Sequence, residues 1–95
     1  MKQEITNIIK SLPNLSKAYL FGSRAKGNSK EDSDYDICIV ITDTNKDIVY
    51  KLITEYYLTS KNFIQPLVLT INEFEEKMKI EVYRVEILVN GKLIT

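Results

Sequence analysis

The sequence of 95 residues contains no histidine, which removes histidine-dependent nucleophilic triads and zinc sites built on imidazole from the functions open to it. Cysteine is nearly absent as well. Cys38 stands alone inside the apolar run "ICIVI" with no second thiol to pair with, and reads as a small core side chain in a reduced compartment. No apolar run approaches the roughly 20 residues of a membrane helix, and the opening "MKQEITNIIK" carries an acid and amides where a signal peptide needs an apolar centre. A cytoplasmic protein is expected. Charge of one sign is missing too: 13 basic and 13 acidic residues cancel, so no overall field draws the chain to a membrane or to nucleic acid, and direct binding to neither is expected. Pro13 and Pro66 are the only prolines, and neither repeat nor linker is present. One domain over residues 1–95 is therefore expected, with one modest core, since a chain of this size buries roughly 60–65% of its unfolded surface.

Apolar spacing divides the chain into elements. Ile5, Ile8, Ile9 and Leu12 recur at helical intervals and Pro13 stops that helix. "KAYLFG" reads as a strand ending at Gly22, and residues 23–33 are too polar and turn-rich to be core. "DYDICIVI" reads as a second strand, buried on both faces beyond Asp36 because its apolar run stops alternating. Thr44 is placed to cap the helix that follows, whose apolar stripe is Val49, Leu52, Ile53 and Tyr56, with Lys46, Lys51 and Glu55 facing water. "NFIQPLVLT" is a third strand, and its proline fits an edge position or a bulge. Thr70 and Glu73 form a capping box, with Leu69 and Phe74 spaced for a hydrophobic staple, which predicts a helix from about Ile71. At the end, Asn90-Gly91 between apolar runs signals a hairpin, while Val82, Val85 and Val89 suit a helix with a left-handed stop at Gly91. Six tyrosines, three of them Tyr50, Tyr56 and Tyr57, fit either a homo-oligomer interface or a half-buried helix flank.

The chemistry concentrates between Tyr19 and Val40. On a strand, residues two apart share a face, so Asp34 and Asp36 set two carboxylates side by side. Such a pair repels itself unless a cation intervenes, and hard divalent ions such as Mg²⁺ take oxygen ligands of this kind. The plainer reading is that an aspartate near a strand start caps a turn, as is expected for Asp32 and Asp43. Upstream, Gly22 and Ser23 open a turn with accessible backbone N–H groups and a hydroxyl, which suits a phosphate. Arg24 and Lys26 either add positive charge to that cradle or are solvated surface residues. Cradle and carboxylates together suit a nucleoside triphosphate with its metal.

Gly22-Ser23, ten residues, then Asp34-Tyr35-Asp36 reproduces the G-S-x10-D-x-D signature of the DNA polymerase β-like nucleotidyltransferase superfamily. The wider string "LFGSRAKG…SDYDICIV" closely resembles its minimal nucleotidyltransferases, short proteins often encoded beside a HEPN-domain partner. The resemblance implies an α/β (α+β) fold, a single small domain with a mixed β-sheet flanked by helices, and at the C-terminus a helix ending near Asn90-Gly91 and a short final strand. It implies that Gly22 and Ser23, with Arg24 and Lys26 beside them, hold ATP or another nucleoside triphosphate, and that Asp34 and Asp36 are catalytic and bind two Mg²⁺ ions. The implied reaction moves AMP to a hydroxyl of a protein partner, most simply a tyrosine of a HEPN toxin that the modification silences, which makes the chain an antitoxin. The sequence departs from the family pattern in one respect. Competent members carry a third carboxylate on the next strand, and here "NFIQPLVLT" has no acid, with Gln65 in the equivalent position. A neutral amide supplies neither charge nor a proton acceptor. The alternative is thus a catalytically weak or inactive module that neutralises its partner by contact.

Overall fold

The middle of a four-stranded sheet of order β3-β2-β1-β4 is held by a strand rich in β-branched residues and by one that carries the aromatics Tyr19 and Phe21. The protein's computed structural model describes residues 1–30 and 33–95, so the turn expected at Asp32 lies outside the described residues. In chain order the elements are α1 (Gln3–Lys10), β1 (Leu15–Phe21), the one-turn α2 (Ser23–Lys26), β2 (Tyr35–Ile41), α3 (Lys46–Ser60), β3 (Ile64–Thr70), α4 (Ile71–Lys77), α5 (Glu81–Arg84), a π-helical turn (Val85–Val89) and β4 (Lys92–Leu93). β2 runs antiparallel to β1 and parallel to β3, and β4 returns antiparallel to β1, which makes the sheet mixed.

The sheet is covered on both faces, and strand parity decides what each face holds. Ala18 and Leu20 of β1, Tyr35, Ile37, Ile39 and Ile41 of β2, and Ile64 and Val68 of β3 pack against α1 through Ile5 and Ile9 and against α3 through Val49 and Ile53. On the other face Cys38, Val40 and Leu69 pack with Ile87 of the π-helical turn and with Phe74 of α4. β2 is accordingly apolar without alternation after Asp36, because both of its faces are buried. Pro66 sits in β3, which is an edge strand, so its missing N–H leaves the far side of the sheet unaffected.

Helix ends follow the capping chemistry, with one correction. Thr70 accepts from the Glu73 amide at 3.2 Å and Glu73 Oε1 accepts from the Thr70 amide at 2.9 Å, the reciprocal box expected there, and Leu69 and Phe74 join the same apolar cluster. α3, however, is capped by Asn45, whose side chain accepts from the Ile48 amide at 3.3 Å, and not by Thr44. The shift follows from Asp43, which accepts the Asn45 amide at 2.9 Å and the buried Asn14 side chain at 2.7 Å, fixing a turn that starts the helix one residue later. Tyr56 is half-buried with its hydroxyl bonded to Asn62 at 3.0 Å, whereas Tyr50 and Tyr57 are exposed.

The C-terminus is helical to Val89 and ends in a short strand, so the hairpin reading is overturned. Gly91 is needed for space and not for a left-handed stop. Its φ is not positive, and a Cβ there would overlap the Ile87 carbonyl oxygen and press on the Leu20 carbonyl oxygen at 3.0 Å. Left-handed stops occur instead at Gly27, which ends α2 at φ 77°, and at Lys61, which ends α3 at φ 62°. None of the described helices is long and apolar enough to cross a membrane.

Candidate functional site

β1 ends and β2 begins at one edge of the sheet, with Phe21 paired to Asp36, so the residue after Phe21 turns away beside the Asp36 carboxylate. That residue is Gly22, at φ 71° and ψ −154°, a region that essentially only glycine occupies. Space demands glycine as well: a Cβ would overlap an Asp36 carboxylate oxygen and stand 3.2 Å from its Cγ. The turn thus brings main chain and carboxylate into direct contact. Gly22 O accepts from the Ala25 and Lys26 amides, both at 3.2 Å, which places Ser23 at the mouth of the turn, half-buried, ahead of these hydrogen bonds.

Asp34 lies just before β2 and is exposed, while Asp36 is half-buried one residue inside the strand. Burial pushes the Asp36 carboxyl above its usual range, and the Asp34 charge pushes it further in the same direction. The pair is therefore close enough to be felt electrostatically, as its spacing requires. Two residues further along the same face, Cys38 is buried and its thiol is pushed up to about 12 by that burial, against a smaller opposing effect of Lys77. It is a packing residue and not a nucleophile.

The two cations of the turn diverge. Arg24 donates from Nε at 3.2 Å and from a terminal nitrogen at 2.7 Å to the Ser33 carbonyl, and its guanidinium lies 4.2 Å from the centre of the Tyr35 ring. Tyr35 belongs to the α1/α3 face, so Arg24 ties the two ends of the polar segment together on the side away from Asp36. Lys26 leans towards the C-terminal segment, where its ammonium meets Glu86 Oε1 at 2.6 Å. Local spacing does not indicate this pairing, whose partners stand 60 residues apart. Gln65 of β3 is paired in register with Asp36, on the same face, and is exposed.

A divalent cation fits the donor set, since Asp34 and Asp36 offer hard oxygens and their mutual repulsion is relieved by a positive ion between them. Among the described residues no group of three or more His, Cys, Asp or Glu gathers anywhere. Among the described residues, the acidic complement of the site is the pair.

A family model described as "Polymerase beta, Nucleotidyltransferase" matches residues 3–95. No curated protein matches the chain in sequence. Among solved structures it is similar to a toxin–antitoxin complex with AMP-PNP, at 18% identity and TM-score 0.66 over 98% of this chain and 71% of that one. It is similar as well to a complex of a tri-AMPylated Shewanella oneidensis HEPN toxin with its MNT antitoxin, at 20% identity and TM-score 0.59 over 100% of this chain and 72% of that one. A third similar structure is that of a nucleotidyltransferase from Sulfolobus solfataricus, at 27% identity and TM-score 0.51 over 78% of this chain and 67% of that one.

Proposed function

This chain belongs to the polymerase β nucleotidyltransferase family, and from that premise we propose that it moves a nucleoside monophosphate, AMP from ATP, to a hydroxyl of a protein partner of the HEPN toxin class. The observation that carries the reading is the contact between the Gly22 turn and the Asp36 carboxylate, with Asp34 beside it. Phosphate needs close approach of backbone and donors, and the metal that accompanies it needs paired carboxylates. Gly22 and Ser23 meet the first need, Asp34 and Asp36 the second. The partner class is suggested by the similar complexes, one holding AMP-PNP and one an AMPylated HEPN toxin.

In this reading the acceptor oxygen attacks the α-phosphorus in line, the bond to pyrophosphate breaks with its electron pair leaving on pyrophosphate, and the hydroxyl proton passes to solvent water. Ser23 orients the phosphates from the mouth of the turn, and Arg24 keeps the turn closed through Ser33. Lys26 offers a charge that Glu86 holds on the C-terminal side. Asp34 and Asp36 would hold Mg²⁺, which when bound neutralises phosphate charge and lowers the pKa of a coordinated hydroxyl.

Incubating the protein with α-labelled ATP, Mg²⁺ and the HEPN protein encoded beside it should label that partner, and Asp36→Ala should abolish the labelling. Absence of transfer from any nucleotide by a folded sample rejects the reading. Gln65 favours a second one, in which the chain neutralises its partner by contact, because a neutral amide at that place leaves the site without a third acid. Under it, the Asp34→Ala, Asp36→Ala double variant still neutralises the partner.

A further inference from the structure

The parallel register pairs Asp36 with Gln65, and adjacent strands lie about 4.8 Å apart, so the two side chains leave the same face as neighbours. Gln65 is exposed and no side-chain hydrogen bond among the described residues commits it. It is also the neutral isostere of glutamate, with a carbonyl oxygen where a carboxylate would carry charge. Glu86, on the C-terminal segment, is already engaged and holds Lys26 at 2.6 Å. Among the described residues, the fixed charge offered to a cation at the head of β2 is thus that of Asp34 and Asp36.

We infer that Gln65 sets the strength with which this chain holds a divalent cation: its amide oxygen completes a weak ligand set in the absence of nucleotide, and its neutrality keeps that set from becoming a tight, permanently loaded site. The inference rests on the metal reading of Asp34 and Asp36 above. A resident cation is then held loosely until phosphate oxygens supply further ligands. Ligand charge is the variable by which oxygen sites tune affinity over orders of magnitude, so one added carboxylate at residue 65 has a large effect and loss of the oxygen a smaller, opposite one.

The test is Mn²⁺ titration of nucleotide-free protein by calorimetry, with thermal melts in chelator and in Mn²⁺. Gln65→Glu is expected to bind at least about tenfold tighter than wild type, to melt below wild type in chelator because a third carboxylate adds repulsion, and to melt above it in Mn²⁺. Gln65→Met, similar in length but without the oxygen, is expected to bind more weakly than wild type. The inversion of the melting order between chelator and metal is a signature that a merely structural effect of the substitution does not produce. Gln65→Glu binding no tighter than wild type, while Asp36→Asn weakens binding, overturns the role of Gln65 and leaves the metal pair standing. Asp36→Asn leaving Mn²⁺ binding unchanged overturns the inference together with the metal reading beneath it.

Discussion

At Gly22 a backbone requirement and a space requirement fall on one residue, and they have different consequences. The conformation alone, φ 71° and ψ −154°, costs a non-glycine residue roughly 1–3 kcal/mol. The overlap with Asp36 has no cheap relief, because a Cβ pushes on the carboxylate itself. Gly22→Ala is therefore expected to lower stability by roughly 1–3 kcal/mol in a urea melt and to abolish Mg²⁺-dependent ATP binding in calorimetry. Retained binding would show that the turn does not shape the site. Asp36 tests the other side of the same contact. Its carboxylate is disfavoured first by burial and then by Asp34, so in chelator at neutral pH Asp36→Asn should melt higher than wild type, and Mg²⁺ with ATP should stabilise only the wild type. A lower melting temperature in chelator would mean that the carboxylate is held by favourable contacts instead. The closeness of Asp34 and Asp36 was legible in the sequence because residues two apart where a strand begins fall on one side of the chain. The fates of Arg24 and Lys26 were not, since one turn of helix sends the first to Tyr35 and the second to Glu86, neither of which local spacing can indicate.

Among the elements, those with a local chemical signal were readable and those decided by tertiary contact were not. The box of Thr70 and Glu73 lies within four residues and forms as expected. The cap of α3 moved from Thr44 to Asn45 because Asn14, remote in sequence, anchors Asp43. Gly91 carries the same lesson, its space being set by Ile87 and by Leu20 of β1. The box supports a pH prediction. Hydrogen bonding from the Thr70 amide, and then from Lys46, holds the Glu73 carboxyl below its usual range. A depressed acid stabilises the fold above the ordinary carboxylate pKa and loses that contribution as pH falls through the lowered value. Glu73→Gln should therefore flatten the acid limb of the stability profile relative to wild type, and Thr70→Ala should cost about 1 kcal/mol at neutral pH through loss of the cap. An unchanged acid limb in Glu73→Gln would assign acid sensitivity to other carboxylates.

In the whole molecule β2 is the element that everything else depends on. Among the described strands it alone has hydrogen-bonded neighbours on both sides and is buried on both faces, and the candidate site lies at its start. Ile39 lies at its middle, fully buried between the α1 and α3 layer and the sheet. A buried Ile→Ala change costs roughly 2–5 kcal/mol, against a total stability on the order of 5–14 kcal/mol for a chain of this length. Ile39→Ala should accordingly remove a large fraction of the stability, seen as an earlier urea midpoint with an unchanged slope. Tyr50→Ala, at an exposed position, should shift the midpoint little. Because the two apolar layers share this strand, the variant should still unfold in one step, with far-ultraviolet circular dichroism and tyrosine fluorescence tracing the same transition. Two separated transitions would show that the layers fold independently, and the carboxylates at the head of β2 would then owe their placement to one layer only.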